Sequence, residues 1–271
     1  MRSLGPRETR ALLERYGIGP KTSIGQHFVT DPNTVRKIVS LAGIEPGDRV
    51  IEVGPGLGAL TLALVEAGAD VVAVEADRRL EPVLAEVVPE VQVVWADAMR
   101  IDPARLAGRR AAVVANLPYQ IATPLVVEWL AVPAIRSFTV MVQREVGERI
   151  VAGPGTDPYG AVSVKVAYFG DARIAARVSR RVFLPMPEVE SVVVRIDRRP
   201  RPPVSGAREK IFQVIETGFA QRRKTVRRAL RARWGADQVE QALVRARVDG
   251  GARAETLSLG DFAALARALP A

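Results

Sequence analysis

Asn116-Leu117-Pro118-Tyr119 ends the apolar run Ala111-Ala112-Val113-Val114-Ala115 and is the stretch best equipped for chemistry. Its amide, proline and phenol ring together suit work on an exocyclic amine. The Asn116 side-chain oxygen and the Leu117 or Pro118 carbonyl offer two acceptors to the hydrogens of an –NH2 group. Holding both N–H bonds out of the ring plane would localise the nitrogen lone pair and make it nucleophilic. Tyr119 offers a stacking face to the heteroaromatic ring that carries the amine. The same residues also describe a plain strand end followed by a turn, with Tyr119 in the core. The rest of the chain has to decide between the two.

Composition narrows the chemistry. The chain has 271 residues, no cysteine and a single histidine, His27. Thiolate nucleophiles, multi-histidine metal sites and a Ser-His-Asp arrangement are thereby disfavoured, and no metal is expected. No stretch approaches 18 uninterrupted apolar residues, and the N-terminus lacks the apolar centre of a signal peptide. The expected location is cytoplasmic. Residues 198–235 hold 12 Lys+Arg and 2 Asp+Glu, so the whole excess behind the net charge of +9 lies in that segment. Charge concentrated in this way fits a phosphate-backbone partner.

The elements that position the Asn116 turn alternate between strands and helices. Arg49–Val53 reads as a strand running directly into Gly54-Pro55-Gly56-Leu57-Gly58, with a helix from Ala59 to about Glu66. Such a glycine-rich turn lets a ligand approach the backbone closely. Val71–Val74 is the next strand, with Glu75 at its end, placed to accept the two hydroxyls of a ribose. Gln92–Trp95 is the third, and Asp97 in its exit loop is placed to meet an adenine amino group. Glu75, Asp97 and Asn116 thus close successive strands and predict an α/β, mostly parallel sheet that binds a nucleoside. Gly54, Gly56 and Ala59 also satisfy the dinucleotide pattern, which leaves an NAD-linked oxidoreductase open at this point.

Further along, Thr123–Leu130 reads as a helix, Phe138–Val142 as a strand, Arg144–Val151 as a helix, and Arg173–Val178 and Ser191–Ile196 as strands. The breaker-rich stretch 153–160 is either a mobile lid or a connector. Phe183, followed by Pro185 and Pro187, is either a core residue or a second ring for gripping a base opposite Tyr119. Arg199-Pro200-Arg201-Pro202-Pro203 is a stiff linker, so domains are expected at 1–199 and 204–271. Along Phe212–Leu230, read as one helix, Arg223, Lys224, Arg227, Arg228 and Arg231 share a face with no interleaved acid, which again favours an anionic partner.

Gly25-Gln26-His27-Phe28, Glu52 to Gly58, Asn116 to Tyr119, Val182 to Pro187 and Gly218 to Thr225 together resemble the small-subunit ribosomal RNA adenine dimethyltransferases, over nearly the whole chain. The resemblance implies a class I (Rossmann-like) methyltransferase with a seven-stranded sheet, its last strand antiparallel, and a small all-α C-terminal domain. It implies S-adenosylmethionine as cofactor and N6,N6-dimethylation of two adjacent adenines in the 3′-terminal hairpin of small-subunit rRNA. The implied partner is an immature small ribosomal subunit, met by a monomer. Gln26, His27, Val29, Gly54, Gly56, Glu75, Asp97, Ala98 and Asn116 would contact the cofactor. Asn116, Leu117, Pro118, Tyr119 and Phe183 would surround the adenine, and Arg222, Arg223, Lys224, Arg227, Arg228 and Arg231 would meet RNA. Position 27 is commonly Asn in the family, and a protonated imidazole there would repel the cofactor's sulfonium. The rivals are a DNA adenine methyltransferase, which would need a larger base-reading domain, and an assembly factor whose binding rather than catalysis matters.

Overall fold

The computed structural model describes residues 3–21 and 25–270. Its strands are β1 (Phe28–Val29), β2 (Arg49–Val53), β3 (Asp70–Glu75), β4 (Gln92–Trp95), β5 (Ala111–Asn116), β6 (Ile135–Gln143), β7 (Gly170–Val178), β8 (Phe183–Leu184) and β9 (Ser191–Arg198). Seven of them form one sheet in the order β4-β3-β2-β5-β6-β9-β7. The first five run parallel, and β9 pairs antiparallel with β6. The last strand in the chain therefore lies inside the sheet, between β6 and β7, rather than at its edge.

β5 explains why the Asn116 turn sits centrally. Ala111 to Ala115 are all buried, as a parallel strand covered on both faces requires, and small side chains let helices close on each side. Local signals fix the flanking elements. Asp31 caps the helix Pro32–Ala42 by accepting from the Asn33 and Thr34 backbone N–H groups, Pro32 takes its first position, and Gly43 ends it left-handed at φ 54°. The N-terminal helix runs Pro6–Arg15.

Two compact units result, one of residues 1–147 with 172–198, the other of 148–171 with 199–271. The expected cut near Arg199 is one of the crossings, but residues 148–171 pack with the C-terminal helices. Stretch 153–160 is tied down within that second unit: Gly155 N–H donates to the Glu255 carbonyl at 2.8 Å and the Tyr159 hydroxyl to the Leu257 carbonyl at 2.8 Å. It is a connector, not a lid. The long basic helix expected over Phe212–Leu230 is two helices, Arg208–Ala220 and Val226–Leu230. Long-range backbone bonds break it: Val226 N–H donates to the Ala252 carbonyl and Arg227 N–H to the Gly250 carbonyl, while Thr225 caps the new helix. Among the described residues no helix is long and apolar enough to cross a membrane.

Candidate active site

At the C-terminal ends of β2, β3 and β5 lies a cavity of about 280 Å³ within the first unit. Gly54 and Gly56 line it, and they and Gly58 are all left-handed, with φ of 71°, 59° and 87°. A Cβ on Gly56 would stand 3.0 Å from the Phe28 ring, so glycine is required there by conformation and by space. Glu75 reaches across from β3. Its carboxylate accepts from the Asp77 N–H at 2.8 Å and the Gly56 N–H at 3.4 Å, and burial pushes its pKa up against those bonds.

Of the other residues expected at the cofactor, Gln26, His27, Val29, Asp97 and Asn116 line the cavity, whereas Ala98 is buried and does not. Gln26 serves as a strut, its amide donating to Asp77 at 3.0 Å while its oxygen accepts from the Lys21 N–H at 2.8 Å. The Arg79 guanidinium holds the Asp77 carboxyl well below the usual range, so this strut ends on an anion. Asp97 accepts from the Met99 N–H at 2.9 Å and caps the turn that follows β4.

Asn116 ends β5, and its Nδ2 donates to the His27 carbonyl at 3.1 Å. That bond orients the amide and leaves Oδ1 as a free acceptor. The Pro118 carbonyl accepts from the Ile121 N–H at 3.2 Å, which leaves the Leu117 carbonyl the less engaged of the two expected acceptors. His27 Nδ1 lies 2.8 Å from the Pro185 carbonyl. A carbonyl only accepts, so Nδ1 carries the hydrogen of that bond. The His27 ring stacks on Tyr119 with centroids 5.6 Å apart, and the Tyr119 hydroxyl lies 3.3 Å from Ser191 Oγ.

Phe183 is not brought into the cavity. It is buried in the core beside Val29, Met141 and Val193, where β8 pairs antiparallel with β1. The ring facing Tyr119 in this structure is His27. Three residues unmarked by sequence spacing also line the wall: Leu4 and Thr9, from the N-terminal segment and its helix, and Glu52 from the middle of β2. Thr9 Oγ1 and Glu52 Oε2 are buried without hydrogen-bond partners, and burial pushes the Glu52 carboxyl to about 8. The motif from Glu52 to Gly58 contains it, but spacing alone gave Glu52 no role.

The basic residues in the second unit divide into two sets. Arg227 and Arg231 both pair with Glu240, at 3.0 and 2.8 Å, and Arg222 pairs with Glu255 at 3.2 Å. Arg223, Lys224 and Arg228 are exposed and make no side-chain ion pair among the described residues. The expectation that this face lacks acids is therefore corrected for two of its five cations, Arg227 and Arg231, whose acid comes from a later helix.

Residues 19–270 match the family described as ribosomal RNA adenine dimethylase. This chain belongs to the ribosomal RNA adenine dimethylases. It is 45% identical over 280 residues to ribosomal RNA small subunit methyltransferase A of Rhodococcus opacus, covering 98% of this chain and 95% of that protein. The relative of the same name in Thermobifida fusca is 46% identical over 283 residues, covering 99% and 97%. Among solved structures, the 23S rRNA methyltransferase ErmE superposes with a TM-score of 0.67 at 29% identity, covering 89% of this chain and 99% of that one. A dimethyladenosine transferase from Plasmodium falciparum gives 0.71 at 23% identity, covering 88% and 96%, and shares the fold. The sheet is that of a class I methyltransferase, and the oxidoreductase reading left open by the glycines is set aside.

Proposed function

We propose that this enzyme methylates the N6 amines of two adjacent adenines in the 3′-terminal hairpin of small-subunit rRNA, giving N6,N6-dimethyladenosine, with S-adenosylmethionine bound in the β2–β3–β5 cavity. One observation carries the reading: the Asn116 amide nitrogen is turned to the His27 carbonyl, which keeps its oxygen for an amine. The cavity's chemistry suits the cofactor as well. Glu52 has an unpartnered buried oxygen on its wall, which a polar group of a ligand would satisfy, and Glu75 retains lone pairs for ribose hydroxyls.

When bound, S-adenosylmethionine supplies an electrophilic methyl group on a sulfonium. Asn116 Oδ1 and the Leu117 carbonyl hold the adenine N6 hydrogens, and Tyr119 supports the flipped base. Asp97 meets the cofactor's adenine and Glu75 its ribose. No residue has to act as a base before transfer, because the methylated nitrogen sheds its proton readily to Asn116, a carbonyl or water. Positioning supplies the rate enhancement. Arg223, Lys224 and Arg228 supply the unpaired positive charge for the rRNA backbone, with Arg222, Arg227 and Arg231 at its margin. The substrate is an immature small subunit and the enzyme acts as a monomer.

The test is transfer of labelled methyl to unmethylated small subunits, naked small-subunit rRNA and duplex DNA. Dimethyladenosine in the subunits is expected. Asn116→Ala should lower the rate by about 100-fold while calorimetry still detects cofactor binding. Label in DNA, or an unchanged rate in the variant, would refute the proposal.

A further inference from the structure

A second depression, of about 650 Å³, opens at the opposite edge of the same sheet, where β2, β3, β5 and β6 begin. Five arginines line it: Arg49, Arg105, Arg109, Arg110 and Arg136. Two of them are spent on bracing. Arg49 grips both oxygens of Asp70 at 2.9 Å and donates to the Leu106 carbonyl at 3.0 Å, fastening the short helix Ala104–Ala107 to β2. Arg136 meets Asp48 at 2.5 Å. Arg105, Arg109 and Arg110 are exposed, and their side chains make no hydrogen bond or ion pair among the described residues. Glu45 is the one lining carboxylate not taken by an arginine.

From this we infer a second RNA contact, distinct from the base-modifying cavity: Arg105, Arg109 and Arg110 bind the phosphate backbone of a segment remote from the target adenines. Three facts point to a polyanion. Outside residues 198–235 the acids outnumber the bases by one, so three unpaired cations within six residues are a local exception. Guanidinium forks match phosphate oxygens. The depression is wide and open, and no buried side chain converges in it, which suits a passing backbone better than one small anion.

Distance gives the site its meaning. β2 separates the two edges by five residues, about 16 Å at the rise of a strand. A short hairpin whose loop enters the cavity would leave this edge bare, and a larger folded RNA would cover both. The inference rests on the rRNA reading above, and the experiment separates the two.

Binding of Arg105→Ala/Arg109→Ala/Arg110→Ala is measured against salt on naked small-subunit rRNA, on whole small subunits and on the isolated 3′-terminal hairpin. Long-rRNA affinity should fall about tenfold or more at low salt, and the slope of log K against log salt should shrink by about 2, the counterions released by three phosphate contacts. Hairpin and cofactor binding should stay at wild-type levels, which also shows that the variant is folded. The triple Arg→Lys variant should recover most of the loss. Unchanged long-rRNA binding would overturn the inference, as would equal weakening on the hairpin. Loss on whole subunits alone would place a ribosomal protein at the patch and overturn it too. A wild-type enzyme that bound no rRNA would overturn both readings together.

Discussion

Glu52 sits in β2 at 1% exposure with its carboxyl pushed to about 8 by burial, so it is held in its neutral form at neutral pH. The unfolded chain releases that proton near the ordinary carboxylate range. Between about pH 4.5 and 8 the folded state binds the extra proton, and stability falls as pH rises through that window. Replacing Glu52 by Gln should remove this dependence: melts at pH 8 should show the variant stabilised by on the order of a few kcal/mol relative to its standing at pH 5. Parallel pH profiles would show that Glu52 is charged in the fold. Asn116, Glu75 and Asp97 were legible in the sequence because each closes a strand that apolar runs had already delimited. Thr9 and Leu4 were not, because a helix far from the turn in sequence brings them to the wall. Phe183 was legible as an aromatic anchor, but no local pattern distinguishes an anchor in the core from one at a base.

At the scale of elements, the glycine turn after β2 is the least forgiving. Gly56→Ala combines a left-handed φ of 59° with a Cβ 3.0 Å from the Phe28 ring. Denaturant unfolding should show a loss of about 1–2 kcal/mol, and because β1 must shift, calorimetry should show weaker cofactor binding. The glycine turn and most strands followed from breakers and apolar runs, which act within a few residues. The break between Arg208–Ala220 and Val226–Leu230 did not, since the bonds that cause it come from residues 250 and 252. A 3.6-residue pattern continues across a kink that only the tertiary fold imposes.

For the whole molecule, charge is read in pairs and not in counts. Glu240 engages Arg227 and Arg231 at once, whereas Arg223, Lys224 and Arg228 stand open. Arg223→Ala/Lys224→Ala/Arg228→Ala should therefore weaken rRNA binding more than Arg227→Ala/Arg231→Ala. Filter binding at two salt concentrations decides it, and equal losses would show that Glu240 yields its arginines to RNA. The order of synthesis adds a consequence of the three chain crossings between the two units. The helix Ala161–Phe169 leaves the ribosome before Phe212, on which the Tyr168 and Phe169 rings pack at 5.3 and 5.7 Å. Phe212 follows Phe169 by 43 residues, roughly 2–9 s of translation. During that interval the growing chain carries an apolar helix whose Phe212 partner has not been made, so the catalytic unit is made in the company of an incomplete piece of the other. Stopping synthesis at the proline linker would fix that interval permanently and leave a sticky product, which is why the C-terminal helices are no removable appendage.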